Sequence, residues 1–405
     1  MSTSLLYHAF GIKGYDYVRT QYHGGNIIFN IEKKPFCLCC PCCKGKDIIR
    51  HGALPRWFYS VPLGGRPSYI VTYVTRIECK QCRITRQADI GFADKRVTYT
   101  KALERYALGL ARHMTIKDVA KHLGISWDIV KGMQKRYLKK RYKNPKLKEL
   151  QLIAVDEINI GKGRYFTVVL NFKTGAIVFV GDGKGSEALE PFWAKLKRKK
   201  SVKIKAVAMD MSRAYIKAVT ENLPNATIVF DHFHVIKLFN EKLSDFRRKL
   251  FDTAHEIMKK SVLKGSRWLL LTAREKLADK QNHKVRLERA LALNEPLATA
   301  YYMKEDLRQL WGWGDDKHAA TWHLDSWIEM AKASGMSMLE KFAQTLERHR
   351  DGILAYFDYQ ITTGPLEGIN NKINTMKRQA YGFRDMEFFK LKIMALHETK
   401  YALVG

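Results

Sequence analysis

The chain has 405 residues, of which 46% are hydrophobic and 27% charged, so it is long enough to fold into about two to three domains. This composition excludes a disordered, collagen-like or coiled-coil chain. Lysine and arginine number 71 against 40 aspartates and glutamates, and the net charge of +31 favours nucleic acid as partner, although a ribosomal, membrane-surface or supercharged protein has the same imbalance.

Neither a signal peptide nor a membrane span is predicted. The first residues lack a basic segment followed by an apolar one, and no apolar run approaches about 18 residues. A cytoplasmic protein is therefore expected. All seven cysteines fall between Cys37 and Cys82, and in a reducing compartment such clustering favours a metal site over disulfides.

Residues 1–95 combine β-rich runs with the turn signal Gly64-Gly65 and predict a small β domain. Two C-x-x-C knuckles, CPCC and CKQC, each bring two thiolates to one ion, and together they complete a tetrahedral zinc site. The sequence therefore predicts a zinc ribbon. Its four ligands are predicted to be Cys40, Cys43, Cys79 and Cys82.

The choice of the first cysteine pair leaves alternatives open. Cys39 and Cys42 have the same spacing, and Cys37 is spare. Pro41 rigidifies the preferred knuckle, which is why that pair is favoured. Reduced cysteines that bind no metal are the other interpretation of the whole cluster.

Residues 96–148 show helical periodicity and end in a basic tract that contains Pro145. In MTIKDVAKHLGISWDIVKGMQKRYL, apolar residues recur at helical spacing, Gly124 permits a sharp turn, and Ser126 caps a second helix. This is the pattern of a helix-turn-helix, although an ordinary helical hairpin gives similar patterns. The outward face of the second helix is predicted to contact DNA through Lys131, Gln134 and Lys135.

Residues 149–235 alternate apolar strands and helices in the order of an RNase H-like mixed sheet. Asp156 and Asp210 each follow an apolar run, so both are predicted at strand ends. Neighbouring strands would bring the two carboxylates to one edge of the sheet. Strand alternation is expected to turn the adjoining Glu157 to the other face.

The third acid is Glu367, which follows Pro365 in the first turn of a predicted helix, where the helix dipole favours a negative charge. Two aspartates and a glutamate offer hard oxygen ligands for two Mg²⁺ or Mn²⁺ ions, a site suited to phosphodiester transfer. A lone strand-end aspartate is more often a cap or ion-pair partner, so the hypothesis needs all three acids. The same helix is predicted to face a phosphate backbone through Asn371, Asn374 and Arg378.

Taken over most of its length, the chain resembles the bacterial ISL3-family insertion-sequence transposases. The resemblance lies in the four-cysteine ribbon, the helix-turn-helix and the motifs IAVDEINIGKGRYFTVVLN, AVAMDMSRAY, VFDHFHVIK, GSRWLLL and TGPLEGINNKI. It implies a DDE domain of RNase H-like fold, interrupted by an α-helical insertion. Asp156, Asp210 and Glu367 would be the DDE triad.

The resemblance implies roles for two further pairs. Asp231 and His234 match a C/D-x-x-H signature that follows the second aspartate in related enzymes, and are expected to brace the active site rather than bind metal; a core position is the alternative for the histidine. Arg267-Trp268 resembles an element whose aromatic ring stacks on a base near the cleaved DNA end. A core position before the following leucines is the alternative for Trp268.

The combined prediction is a multi-domain α+β DNA transposase that contains one structural Zn²⁺ and two catalytic Mg²⁺ ions. It is expected to bind inverted-repeat ends and target DNA as a homodimer. It is expected in the bacterial cytoplasm, associated with the nucleoid and not with a membrane. Rival interpretations are a zinc-ribbon regulator without catalysis and a metal-dependent nuclease or resolvase. The predicted parts are the ribbon (1–95), the helix-turn-helix and basic linker (96–148), the first part of the catalytic core (149–235), the insertion (236–360) and the C-terminal helices of the core (361–405).

Overall fold

A computed structural model describes residues 5–145, 147–199, 202–253, 263, 266–277, 282–292 and 294–398. The fold is mixed α/β and divides into two compact units. The first unit runs to Lys143 and includes Thr375–Lys392. The second unit holds Asn144–Asn374 and a short segment from Ile393.

The first unit begins with helix α1 (Leu5–Phe10) and the strands β1 (Tyr15–His23), β2 (Asn26–Lys33), β3 (Ile48–Leu63), β4 (Arg66–Cys79) and β5 (Thr85–Gln87). They form one sheet in the order β1-β2-β4-β3, with β5 paired to β4. Gly64 and Gly65 close the long β3–β4 hairpin, and both have positive φ, 55° and 76°, as a type I′ hairpin turn requires. The predicted β-rich runs thus become β2 and β4.

Three helices follow in the same unit: α2 (Lys101–Leu110), α3 (Ile116–Leu123) and α4 (Trp127–Tyr142). The hydroxyl of Thr115 caps α3 by accepting a hydrogen bond from the backbone N–H of Asp118 at 3.1 Å. The hydroxyl of Ser126 caps α4 in the same way, with the N–H of Ile129 at 3.4 Å. Between the two helices, Gly124 adopts the left-handed conformation with φ 63°. The predicted apolar face is buried, and the helix-turn-helix prediction is confirmed in its local structure.

Alanine at two glycines of this region is expected to change stability in opposite directions. Gly124→Ala should cost about 1 kcal/mol, because a side chain disfavours the left-handed conformation. Gly132→Ala should stabilise by about 0.5–1 kcal/mol, because Gly132 lies inside α4 and its added Cβ meets no atom within 4 Å. Hydrogen exchange of α3 and α4 peptides in the full chain measures both changes, and effects of the same sign would contradict the argument.

The second unit contains the strands β6 (Leu152–Gly161), β7 (Arg164–Asn171), β8 (Ala176–Asp182), β9 (Ala206–Met209) and β10 (Thr227–Phe230), with helices α5 (Glu190–Lys197) and α6 (Arg213–Asn222). The sheet has the order β10-β9-β6-β7-β8. Strands β6, β7 and β8 are antiparallel, whereas β9 and β10 run parallel to β6. Phe192 and Trp193 of α5 and Tyr215 of α6 pack in its core. The predicted succession of strands and helices is observed.

One boundary in this sheet differs from the prediction. β6 continues past Asp156 to Gly161, so Asp156 does not end its strand. The residues after Asp156 still alternate, since Ile158 and Ile160 are buried and the polar side chains between them are more exposed. This alternation suits the hairpin with β7, which is why the strand extends.

The rest of the second unit is largely helical: α7 (His232–Thr253), α8 (Arg267–Leu271), α9 (His283–Ala292), α10 (Glu295–Gln309), α11 (Lys317–Ala333), α12 (Ser337–Arg348), α13 (Arg350–Leu354) and α14 (Tyr356–Tyr359). Phe239, Trp327 and Phe342 stack edge to face at its centre. Two helices follow, α15 (Gly364–Gln379) and α16 (Met386–Ala395). The boundary between the two units falls inside α15, between Asn374 and Thr375.

Candidate functional site

Two aspartates lie at one edge of the second unit's sheet. Strands β6 and β9 are parallel, and Ala154 lies opposite Ala208. Extending this register by two residues sets Asp156 beside Asp210, which comes directly after β9. The fold therefore brings these two predicted site residues together.

The Asp156 carboxylate accepts two hydrogen bonds. The N–H of Glu157 donates to Oδ1 at 2.8 Å, and Nδ2 of Asn370 donates to Oδ2 at 2.9 Å. Burial is the main cause that raises the pKa of Asp156, and the negative charge of Asp210 raises it further. The Glu157 N–H, His234 and the Asn370 amide act in the opposite direction. A desolvated carboxylate beside a second one is a place where a bound cation is stabilising.

Glu157 adds to the negative field of the site. Alternation along β6 turns it away from Asp156, and in the ladder it lies opposite Thr167 of β7. Burial raises the pKa of Glu157, and the negative charge of Asp210 raises it further. The sequence prediction sent Glu157 to the other face, but it still lies within reach of the negative charge of Asp210.

Glu367 lies in the first turn of α15, three residues before Asn370. Its backbone N–H donates to the carbonyl of Thr363 at 3.1 Å, and its side chain is exposed. Three residues of helix rise about 4.5 Å, so the Asn370–Asp156 hydrogen bond brings Glu367 within one turn of the sheet edge. Of the other polar residues predicted on this helix, Asn371 and Arg378 are exposed and Asn374 is half-buried.

Asp231 connects the sheet to the start of α15. It follows β10 in register with Asp210, since Phe230 pairs with Met209, and it is only 1% exposed. The hydroxyl of Thr363, one residue before α15, donates to its carboxylate. Burial would raise the pKa of Asp231, but the side chains of His232 and Thr363 lower it below its usual value.

The histidine that contacts Asp231 is not the one in the predicted signature. His232 Nδ1 lies 3.2 Å from Asp231 Oδ1, whereas His234 contacts Asp231 only through its backbone N–H, which donates to the Asp231 carbonyl at 3.0 Å. The side chain of His234 instead acts on Asp156, whose pKa it lowers. His234 is half-buried, and so it is not a core histidine.

The four cysteines of the first unit form a tighter cluster. Within the part of the chain that the structure describes, they are the only group of at least three His, Cys, Asp or Glu side chains whose ligand atoms all lie within 4.8 Å of one another. Asp156, Asp210 and Glu367 do not form such a group among the described residues. The clustered cysteines are Cys40, Cys43, Cys79 and Cys82.

The geometry of this cluster fits zinc. Zn–S bonds of about 2.3 Å in a tetrahedron separate the sulfurs by about 3.8 Å. The Sγ atoms are 3.5 Å apart in the pairs Cys40–Cys82 and Cys43–Cys79. Backbone N–H groups also point at the sulfurs, and that of Cys43 is the main cause that lowers the pKa of Cys40 to about 6. Cys42 lies outside the cluster and is exposed, so the alternative first pair is excluded.

The predicted DNA-contacting residues of α4 are not equivalent. Lys131 and Lys135 are partly exposed, but Gln134 is only 7% exposed. The prediction that Gln134 faces outward is wrong, because it shares the buried side of α4 with Val130 and Leu138, at four-residue spacing.

Arg267 and Trp268 begin α8 in the helical part of the second unit. The Trp268 side chain is 70% exposed, while Leu269 and Leu270 are buried. The alternative that Trp268 is a core residue is therefore wrong: the leucines alone fill the core. The Arg267 guanidinium lies 5.4 Å from the centre of the indole ring, so cation and aromatic ring are presented together.

Two family models match the chain. One, described as the helix-turn-helix domain of transposase family ISL3, matches residues 88–138, which contain α2, α3 and most of α4. The other, the ISL3 model described as transposase, matches residues 153–393, more than half of the chain. The chain belongs to the ISL3 family of transposases.

This ISL3 transposase is also similar to individual relatives. It is 34% identical over 326 residues to the transposase for insertion sequence element IS1001 of Bordetella parapertussis, and the alignment covers 79% of each chain. It is 26% identical over 389 residues to the transposase for insertion sequence element IS1557 of Mycobacterium tuberculosis, which covers 89% of this chain and 86% of the relative. The family resemblance inferred from the motifs is confirmed.

Family membership indicates an enzyme that cleaves DNA and transfers strands, and the helix-turn-helix indicates DNA as its partner. A DDE transposase family also suggests a divalent metal. In the described part of the ISL3 transposase, no helix has the length and apolar character needed to cross a membrane.

Three residues around the site were not predicted to act there. Asn370 was missed because the helical pattern of INNKIN does not distinguish which asparagine faces the sheet. Thr363 was missed because its partner Asp231 is 132 residues away. His232 was overlooked because the signature pointed to the histidine two positions later. The only signal for Asn370 in the sequence was its position beside the apolar residues Ile369 and Ile373, which are buried in the structure.

Proposed function

We propose that this ISL3 transposase binds the terminal inverted repeats of its insertion sequence and catalyses cleavage and strand transfer with the triad Asp156, Asp210 and Glu367. The observation that carries the proposal is the parallel register of β6 and β9, which sets Asp156 beside Asp210. The hydrogen bond from Asn370 to Asp156 connects helix α15, which carries Glu367, to the same edge of the sheet. Three antiparallel strands, with two parallel strands added on the β6 side, support an RNase H-like core.

The donor chemistry of the triad fits two Mg²⁺ or Mn²⁺ ions. Oxygen ligands suit these hard cations, and the pKa of Asp156 is raised mainly by burial and further by the negative charge of Asp210, both of which a bound cation would counteract. A pair of ions about 3.5–4 Å apart takes ligands from several elements, and the three acids come from β6, the end of β9 and α15. When bound, the ions would activate water or a 3′-hydroxyl and neutralise the leaving oxygen.

The residues around the triad keep it in position. Asn370 and the N–H of Glu157 orient the Asp156 carboxylate. We infer that Asp231 supports the site through Thr363, which fixes the turn before Glu367. His234 supports it electrostatically, since it lowers the pKa of Asp156. Further along α15, phosphate contacts are assigned to Asn371, Asn374 and Arg378.

DNA contacts are also assigned to other parts of the chain. The cysteine ribbon holds one structural Zn²⁺, and its basic flanks contact phosphates. In the helix-turn-helix, Lys131 and Lys135 of α4 contact the major groove, without the buried Gln134. The exposed Trp268, backed by Arg267, stacks on a base near the cleaved end.

The proposed assembly is a homodimer, the smallest arrangement with one active site for each end of the element.

Within each chain we propose five functional parts. They are the ribbon (1–95), the helix-turn-helix and linker (96–148), the two segments of the catalytic core (149–235 and 361–405) and the helical insertion (236–360).

A joining assay tests the proposed function. The full-length protein is incubated with Mg²⁺, supercoiled plasmid and duplexes that carry the ends of its own insertion sequence, uncut in one reaction and pre-cleaved in another. We expect products in which the 3′-ends are joined to plasmid DNA, because the triad supports attack by a 3′-hydroxyl. Binding without cleavage would indicate a regulator, and cleavage of uncut ends without joining would indicate a nuclease. Either result would overturn the proposal.

A further inference from the structure

Two acidic side chains cover a row of lysines on α4. Lys131, Lys135 and Lys139 are spaced four residues apart, so they form one ridge along the helix, here called the basic ridge. Asp385 and Glu387 lie at the start of α16, within the same compact unit. Each lysine Nζ lies 2.7–3.3 Å from a carboxylate oxygen of these acids.

Lys135 is the centre of this arrangement. Its Nζ lies 3.0 Å from Asp385 and 2.7 Å from Glu387. Of these two acids, Lys131 contacts Asp385 and Lys139 contacts Glu387. The side chains of Lys131, Lys135 and Asp385 are each less than a third exposed, so these contacts are partly shielded from water. The ridge is therefore occupied by negative charge in the protein without DNA.

Asp385 is held in place independently of the lysines. Asp385 Oδ1 accepts the N–H of Phe388 at 3.0 Å, and the Asp385 carbonyl accepts the N–H of Phe389 at 3.0 Å. Both phenylalanines are buried and anchor the start of α16. Burial would raise the pKa of Asp385, but the Phe388 N–H and the ammonium groups of Lys135 and Lys131 lower it to about 2. A fixed carboxylate that stays ionised is thus presented to the ridge.

DNA and these acids compete for the same lysines. In a helix-turn-helix, the second helix enters the major groove, and its flanking lysines contact the backbone. A carboxylate contacts an ammonium group with the same charge and hydrogen-bond length as a phosphate oxygen does. While the acids occupy the basic ridge, they also repel the DNA backbone. The lysines therefore contact either the two acids or the DNA phosphates, but not both at once.

We propose that Asp385 and Glu387 act as an intramolecular phosphate mimic, which occupies the basic ridge of α4 until DNA displaces it. This rests on the proposed function, in which α4 contacts DNA. The mimic lowers affinity for DNA in general, and so it restrains the non-specific binding that a net charge of +31 favours. Only DNA that makes enough other contacts displaces the acids readily.

The test is the double variant Asp385→Asn with Glu387→Gln in the full-length protein. Asparagine still caps α16, so the fold is preserved while both negative charges are removed. We expect it to bind a short random-sequence DNA duplex about 3- to 10-fold more tightly at low salt, with a smaller difference at high salt. Fluorescence anisotropy over a salt series measures this. Glu387→Gln alone, which leaves the cap untouched, should change affinity in the same direction by less.

A matched control separates the ridge from a general charge effect. Asp358→Asn with Glu347→Gln removes the same two residue types from lysine ion pairs of the second unit. This control should change DNA affinity less than the ridge variant. Equal tightening in both double variants, or wild-type or weaker binding by a folded Asp385→Asn, Glu387→Gln protein, would overturn the phosphate mimic.

Lys135→Ala distinguishes failure of the mimic from failure of the proposed function. We expect this variant to bind the random duplex more weakly than wild type. If it does, and removal of the acids does not tighten binding, the mimic alone is refuted. If Lys135→Ala binds as tightly as wild type, α4 does not contact DNA through this ridge, and that part of the proposed function fails with it.

Discussion

Asp156→Asn, Asp210→Asn and Glu367→Gln should each reduce DNA cleavage and joining by about 1000-fold or more, a loss of about 4 kcal/mol of transition-state stabilisation. Each substitution keeps the size of the side chain and removes one negative charge that would hold a divalent cation at the sheet edge. Binding of inverted-repeat duplexes should stay near wild type. The joining assay and a gel-shift assay measure the two properties separately.

A matched control for the triad is Asp182→Asn. Asp182 ends β8 in the same sheet but lies outside the proposed triad. Its substitution should leave cleavage within a few-fold of wild type. If all three triad variants retained comparable cleavage, the assignment of the active site would be wrong, whatever the outcome of DNA binding. Loss of DNA binding together with cleavage would instead indicate a folding defect, which circular dichroism distinguishes.

Cys79→Ser should remove the metal and unfold the ribbon. Cys79 is fully buried at the end of β4, and its sulfur lies 3.5 Å from that of Cys43. The core cluster nearest to these cysteines in sequence is small, with only Leu38, Ile77 and Ala88 buried in it, so loss of one thiolate should weaken zinc binding by at least about 100-fold and expose the start of β3 and the end of β4 to protease. Zinc content by elemental analysis and limited proteolysis of the full chain measure both effects. DNA affinity should fall with them.

Cys42→Ser is the control for this prediction. Cys42 is exposed, lies between two cluster members in sequence and does not belong to the cluster. This variant should keep about one zinc per chain and the wild-type protease pattern. Loss of zinc from Cys42→Ser, or full zinc content in Cys79→Ser, would show that the ligand set is wrong.

Local patterns predicted the helix-turn-helix well, because its determinants lie within a few residues of one another. Ser126 caps α4, and Gly124 adopts the left-handed conformation that only glycine accepts easily. The same holds for the Gly64-Gly65 hairpin. These residues specify their own backbone, so no distant contact is needed to predict them.

Features that depend on distant contacts were predicted less well. Trp268 precedes three leucines, and the sequence does not reveal that only the leucines face the core. Gln134 looked polar and outward, but its side of α4 is buried by the rest of the unit. The extension of β6 beyond Asp156 depends on pairing with β7. In each case a neighbour remote in sequence decides which face is covered.

The step between Ala154 and Asp156 makes the enzyme unusually sensitive to small deletions. Side chains along a strand alternate in direction, so loss of a single codon between these positions would rotate the aspartate to the wrong surface while preserving almost every amino acid. A copy that had lost Val155 would keep every other residue of its motifs, and we expect it to be inert, because its first aspartate would no longer lie beside Asp210.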